Sequence, residues 1–119
     1  MAKIVIIDDS MLARRGIMKL LKNENHEIIE ADNGINGIKV IIESSPDCII
    51  LDLLMPELDG FGVLKELKEQ NNTTPVIVMT ADIQETVKKQ VMELGAFEFL
   101  NKPPKVDDFI NAVNNAIGS

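Results

Sequence analysis

Five short apolar runs, at residues 3–7, 27–30, 48–51, 76–79 and 97–100, punctuate the chain. They are nearly continuous in Val, Ile and Leu, as strands covered by helices on both faces must be. Between them, apolar residues return at three- and four-residue spacing, as in Leu12, Gly16, Leu20 and in Ile35, Ile38, Ile42. That spacing predicts amphipathic helices, and strands alternating with helices predict a parallel sheet joined by crossovers. Right-handed crossovers then give a three-layer, doubly wound α/β fold of five βα units. All carboxyl-terminal strand ends fall along one edge, where such sheets bind ligands. The second run is the least strand-like, because His26 precedes it and Glu30 closes it.

Turn signals agree with this division. Asp32-Asn33-Gly34, Ser44-Ser45-Pro46 and the polar stretch Asn71-Asn72-Thr73-Thr74-Pro75 separate the elements, and Gly95 follows a helix ending at Leu94, where a left-handed residue is wanted. Gly16, inside the first helix, costs about 1 kcal/mol relative to Ala. Close packing against the sheet would explain it.

With 119 residues, 45% of them hydrophobic and 26% charged, residues 1–119 are expected to form a single domain. The net charge of −7 argues against direct nucleic-acid binding, which normally needs a basic stripe. No apolar run approaches the roughly 20 residues of a membrane span, and no signal-peptide layout precedes the first run, so a cytoplasmic location is expected. Cys48 is the only cysteine and lies within an apolar run, which favours a reduced core thiol.

Chemistry-bearing residues gather at the predicted strand ends. Asp8-Asp9 ends the first run, Asp52 the third, Thr80 the fourth, and Lys102-Pro103 follows the fifth. Carboxylates placed about 4 Å apart repel by about 4 kcal/mol per pair at an effective dielectric of about 20, so the cluster must bind a cation or take up protons. Hard oxygen donors without a neighbouring His or Cys favour Mg²⁺ over zinc. A carboxylate beside the ion can act as a nucleophile and form an acyl phosphate, while a hydroxyl and an ammonium can hold phosphoryl oxygens. Each residue also has an ordinary reading: Asp9 or Ser10 as a helix cap, Asp59 before Gly60 as a cap or turn, Thr80 as a strand end, Lys102-Pro103 as a turn. Their convergence on one sheet edge favours the site.

These segments carry a resemblance. Ile-Ile-Asp8-Asp9-Ser10, Leu-Asp52-Leu-Leu-Met55-Pro56-Glu-Leu-Asp59-Gly60, Val-Met-Thr80-Ala81 and Phe99-Leu-Asn-Lys102-Pro103 together resemble the receiver domain of two-component response regulators, in particular the stand-alone type used in chemotaxis. The resemblance implies a flavodoxin-like sheet of order 2-1-3-4-5. It implies Asp52 as the phosphoacceptor and Mg²⁺ organised by Asp8, Asp9, Asp52 and the backbone carbonyl of Leu54, with Asp9 a direct ligand and Asp8 acting mainly through water. Thr80 and Lys102 match the phosphoryl contacts, small Ala81 leaves room for the group, and Phe99 matches an aromatic switch position. The Lys102–Pro103 bond matches a cis peptide. Leu54 and Asp82 match positions flanking the path of the hydrolytic water, where apolar Leu54 implies slow dephosphorylation.

Implied partners are a sensor histidine kinase that donates the phosphoryl group and a downstream target protein or phosphatase, the chain being a monomer or a weak phosphorylation-dependent dimer. The expected role is a switch acting through the fourth helix, fifth strand and fifth helix, with no catalysis beyond its own phosphorylation and dephosphorylation. A phosphotransfer intermediate and a fragment of a larger regulator are alternatives. An aspartyl-nucleophile phosphatase would want an acid where Leu54 stands. A flavin or nucleotide binder would want a phosphate-cradling loop and a stacking Trp or Tyr, of which there is none. The chain departs from the family in placing Pro104, where a large apolar residue is usual, after Lys102-Pro103, and Phe99 where many chemotaxis members have Tyr.

Overall fold

The computed structural model describes residues 2–118. Strands β1 (Lys3–Ile7), β2 (Glu27–Ala31), β3 (Cys48–Asp52), β4 (Val76–Thr80) and β5 (Glu98–Asn101) alternate with helices α1 (Met11–Leu21), α2 (Gly34–Ser44), α3 (Gly60–Glu69), α4 (Glu85–Glu93) and α5 (Val106–Ala116). The strands form one parallel sheet in the order β2-β1-β3-β4-β5. This is the five-unit α/β arrangement expected from the alternation, in the order the resemblance implied. No helix among the described residues is long and apolar enough to cross a membrane.

Side chains of successive strand residues leave opposite faces of a sheet, so each central strand feeds two cores. Val5, Ile7, Ile49, Leu51 and Val78 join Ile41 of α2, Val63, Leu64 and Leu67 of α3 and Val91 of α4. Ile4, Ile6, Cys48, Ile50, Ile77 and Met79 join Ile17 and Leu21 of α1 and Phe109, Ala112 and Val113 of α5. Every residue of β3 and β4 is buried, whereas β2 and β5, at the edges, keep polar or half-exposed positions. Glu30 and His26 weakened the strand pattern because β2 pairs with one neighbour only. Cys48 is buried and free, its thiol pushed up to about 12 by burial and then by Asp47, which makes it an unreactive core group.

Several expectations shift. Strands β3 and β4 each run one residue further than their apolar stretches, because the ladder pairs Asp52 with Met79 and Thr80 with Asn101. The row Leu12, Gly16, Leu20 meets the core only at its end: Leu12 is 79% exposed, Leu20 packs half-buried against the core, and Ile17 and Leu21 enter it. Likewise α2 turns Gly34, Gly37 and Ile41 inward, leaving Ile35 and Ile42 exposed. Both rows have helical period, and period alone does not set the phase when apolar residues surround the helix. Gly95 has φ +98, the left-handed conformation expected of it.

Glycines in the helices serve different ends. A Cβ on Gly60 would lie 2.6 Å from the Asp52 carbonyl oxygen, and one on Gly34 would lie 2.2 Å from that of Leu58. Gly16 meets nothing within 4 Å, so close packing does not explain it. It borders an apolar cavity of about 270 Å³, lined by Ala13, Ile17, Leu20, Met79, Pro103 and Pro104 together with the Lys102 stem. Pro104, shorter than the apolar residue usual there, faces this space.

Opposite signs are expected for two Gly→Ala substitutions. Gly16→Ala should stabilise the chain by about 1 kcal/mol through helix propensity alone. Gly60→Ala should destabilise it by about 1–3 kcal/mol, since the Asp52–Leu53 backbone must move. Urea midpoints at constant m-value check both, and equal effects would refute the distinction.

Candidate functional site

Each side chain at the sheet edge is aimed by its strand and then held by the following loop. Beyond β1, Ser10 Oγ accepts from the Ala13 amide at 3.2 Å and so caps α1, leaving Asp9 free of that duty. Asp8 is buried: its Oδ1 accepts from the Ser10 amide at 2.9 Å and its amide donates to the Ala31 carbonyl at 3.1 Å. Asp52 is the last residue of β3 and is buried. The chain leaving it is clamped by the Gly60 amide, which donates to the Leu53 carbonyl at 3.0 Å. Asp59 is a helix cap, accepting from the Gly62 amide at 2.9 Å.

Asp8, Asp9 and Asp52 converge, each offering a carboxylate oxygen within 4.8 Å of the others. Lys102 reaches them across the sheet edge, where its Nζ donates to Asp8 Oδ2 and lies 3.5 Å from Asp52 Oδ1. Its position follows from the β4–β5 ladder and from the Lys102 amide donating to the Thr80 carbonyl at 2.9 Å; the Lys102–Pro103 bond is cis. Thr80 is buried, and its Oγ1 accepts from the Asp82 amide at 3.1 Å. Asp82 in turn accepts from the Gln84 amide at 3.2 Å. Ala81 is exposed, Leu54 is 69% exposed, and Phe99 is half-buried against the core under α4.

Burial, followed by the Asp8 charge, pushes the Asp52 carboxyl above its ordinary value, and Lys102 opposes this without cancelling it. Burial also works against the Lys102 charge, but the Asp8 hydrogen bond and the Asp52 charge outweigh it and raise the ammonium above its ordinary value. One ammonium thus serves two buried carboxylates, and the acidic cluster keeps an excess of negative charge. Three oxygen donors of this kind suit a hard divalent cation.

The strand-end residues are therefore brought together as expected: three carboxylates and the lysine in one cluster, with Thr80 at the neighbouring strand end. Arg14 was not singled out from the sequence. Its Nη1 donates to the Asp8 carbonyl at 2.6 Å, a contact with no sequence signal beyond a basic residue one turn into α1.

A native state that raises an acid's pKa binds more protons than the unfolded chain between the ordinary and raised values, so stability rises as pH falls through that window. The ionised Asp52 is accordingly unfavourable at neutral pH in the absence of metal. Asp52→Asn should raise the urea midpoint in chelator at neutral pH, with a gain that shrinks as pH drops toward the raised Asp52 value. A gain independent of pH, or a loss, would show that its charge is not under strain.

Comparison with known proteins agrees with this geometry. The family model for the response regulator receiver domain matches residues 4–114. Protein PilH of Pseudomonas aeruginosa is 32% identical over 116 residues, covering 96% of each chain. The chemotaxis protein CheY of Bacillus subtilis is 32% identical over 116 residues, 97% of each chain. Among solved structures, the Francisella response regulator 1452 receiver domain superposes with a TM-score of 0.92 at 29% identity, covering 98% of this chain and 97% of that one. With its sheet order, its strand-end acids and a family match over nearly its whole length, the chain belongs to the response regulator receiver domain family.

Proposed function

We propose that the chain is a phosphorylation switch that receives a phosphoryl group on Asp52 from the phosphohistidine of a sensor kinase. The observation that carries this reading is the Asp52 carboxylate at the end of a fully buried strand, clustered with Asp8 and Asp9 and 3.5 Å from the Lys102 ammonium. A carboxylate oxygen of Asp52 attacks phosphorus in line, the nitrogen–phosphorus bond breaks, and the donor ring, carrying a proton on its other nitrogen, leaves as neutral imidazole. The product is an acyl phosphate, stable enough to act as a signal and reactive enough to be reset.

The donor set of Asp8, Asp9 and Asp52, with the Leu54 carbonyl following β3, fits Mg²⁺, which would neutralise charge on the phosphoryl oxygens. Lys102 exchanges partners: its ammonium, held by Asp8 before phosphorylation, turns to a phosphoryl oxygen afterwards. Thr80 Oγ1, bonded to the Asp82 amide, is the second group available to those oxygens. Its movement toward them would vacate space beside half-buried Phe99 and so bias α4, β5 and α5. That face would engage a downstream protein, and the similarity to the chemotaxis protein CheY favours a chemotaxis-type pathway.

Leu54 and Asp82 bear on the lifetime. Leu54 is largely exposed and its side chain has no group to orient a water, while one oxygen of the Asp82 carboxylate accepts from the Gln84 amide. Slow self-dephosphorylation follows, and with it a need for an external phosphatase or phosphate sink.

A small phosphodonor with Mg²⁺ should add one phosphate by intact mass, and Asp52→Asn should abolish the gain; undiminished labelling of that variant would sink the assignment. Donor turnover without protein labelling would indicate a phosphatase instead. After donor removal, Leu54→Asn should lose phosphate faster than wild type, and equal decay would end the lifetime argument alone.

A further inference from the structure

Arg14 stands outside the acidic cluster yet holds its backbone. Besides the 2.6 Å bond from Nη1 to the Asp8 carbonyl, its Nε lies 2.8 Å from Glu30 Oε1 on β2. Its side chain is 12% exposed and that of Glu30 40%, so the guanidinium is enclosed while its anchor stays wet. The Asp8 carbonyl and the Asp9 amide belong to one rigid peptide plane, and restraining that oxygen restrains the rotation of the plane and the start of Asp9.

Asp9 is the member of the cluster that needs this help. Asp8 is held through its amide by Ala31, through Oδ1 by Ser10 and through Oδ2 by Lys102. Asp9 is exposed, does not cap α1, and its carboxylate has no hydrogen-bond partner among the described residues. Its aim toward Asp8 and Asp52 comes from the backbone alone.

We propose that Arg14, anchored on Glu30, is a positioning residue that fixes the Asp8–Asp9 peptide and thereby aims the Asp9 carboxylate at the cation. This rests on the Mg²⁺ reading above. The sign of the effect separates it from simpler roles. A guanidinium acting only through its charge repels Mg²⁺, so its removal would tighten binding. A guanidinium acting only in packing would lower stability and leave affinity unchanged. Positioning alone makes removal weaken the site.

The test is a Mg²⁺ titration of the unphosphorylated chain, followed by amide shifts at the ends of β1 and β3, for wild type, Asp9→Ala, Arg14→Gln and Arg14→Lys. Arg14→Gln should weaken affinity by about tenfold, the lower range for outer-shell partners of metal ligands. Its labelling rate by a small phosphodonor should recover once Mg²⁺ saturates. Arg14→Lys should weaken binding similarly, because an ammonium lacks the planar fork that spans both acceptors; it also serves as the test if the glutamine variant does not fold. Glu30→Gln should weaken binding in wild type and add nothing in Arg14→Gln. Affinity unchanged or tightened in Arg14→Gln, full rescue by lysine, or additive effects of Glu30→Gln would each overturn the proposal. Equal affinity of wild type and Asp9→Ala would remove the cation reading itself and the Arg14 role with it.

Discussion

Three carboxylates drawn within 4.8 Å of one another repel, and two of them are buried, where water does little to screen them. Lys102 is the group that makes this arrangement tolerable, because one ammonium contacts Asp8 and lies close to Asp52 at once. Much else follows from that contact. The lysine must arrive from the far side of β4, so β5 must pair beyond it, and the Lys102 amide is tied to Thr80 as well. Compensation is only partial, which leaves an excess of negative charge of the kind that suits a divalent cation.

The rest of the fold keeps that cluster from relaxing. Strands β1 and β3 are pinned by two separate cores, one on each face, and a fully buried Ile or Leu contributes about 1.5–3 kcal/mol. Asp8 and Asp52 therefore stand on a base that does not yield to their mutual repulsion. Beyond the strand ends, Asp9 and Leu54 are exposed.

Much of this was legible in the sequence, for physical reasons that differ from residue to residue. Asp52 and Thr80 were visible because a polar group terminating a run of Val, Ile and Leu has few places to go but a sheet edge. Sheet order was not visible, because hydrophobic period is blind to which strands are neighbours; it came from the resemblance. Helical spacing was legible in α1 and α2 but not its phase, since Leu12, Ile35 and Ile42 are exposed and both helices carry apolar residues on more than one side. Arg14 was invisible for a different reason. Its importance lies in a contact with a main-chain oxygen, and backbone partners leave no mark on residue type.

The glycines at Gly34 and Gly60 have a further consequence. One abuts the Leu58 carbonyl and the other the Asp52 carbonyl, so the loop running from Asp52 to α3 is wedged between two helix starts with no room for a methyl group at either. Paths through sequence space are uneven as a result. A lineage drifting from this chain can rewrite the exposed flank of α2 or the open position at Gly16 in single steps. At Gly34 and Gly60, however, the first step in any direction deforms the loop that follows Asp52. The starts of α2 and α3 are thus joined to the sheet edge at these two points, and a change at either is admissible only on terms set by the loop between them.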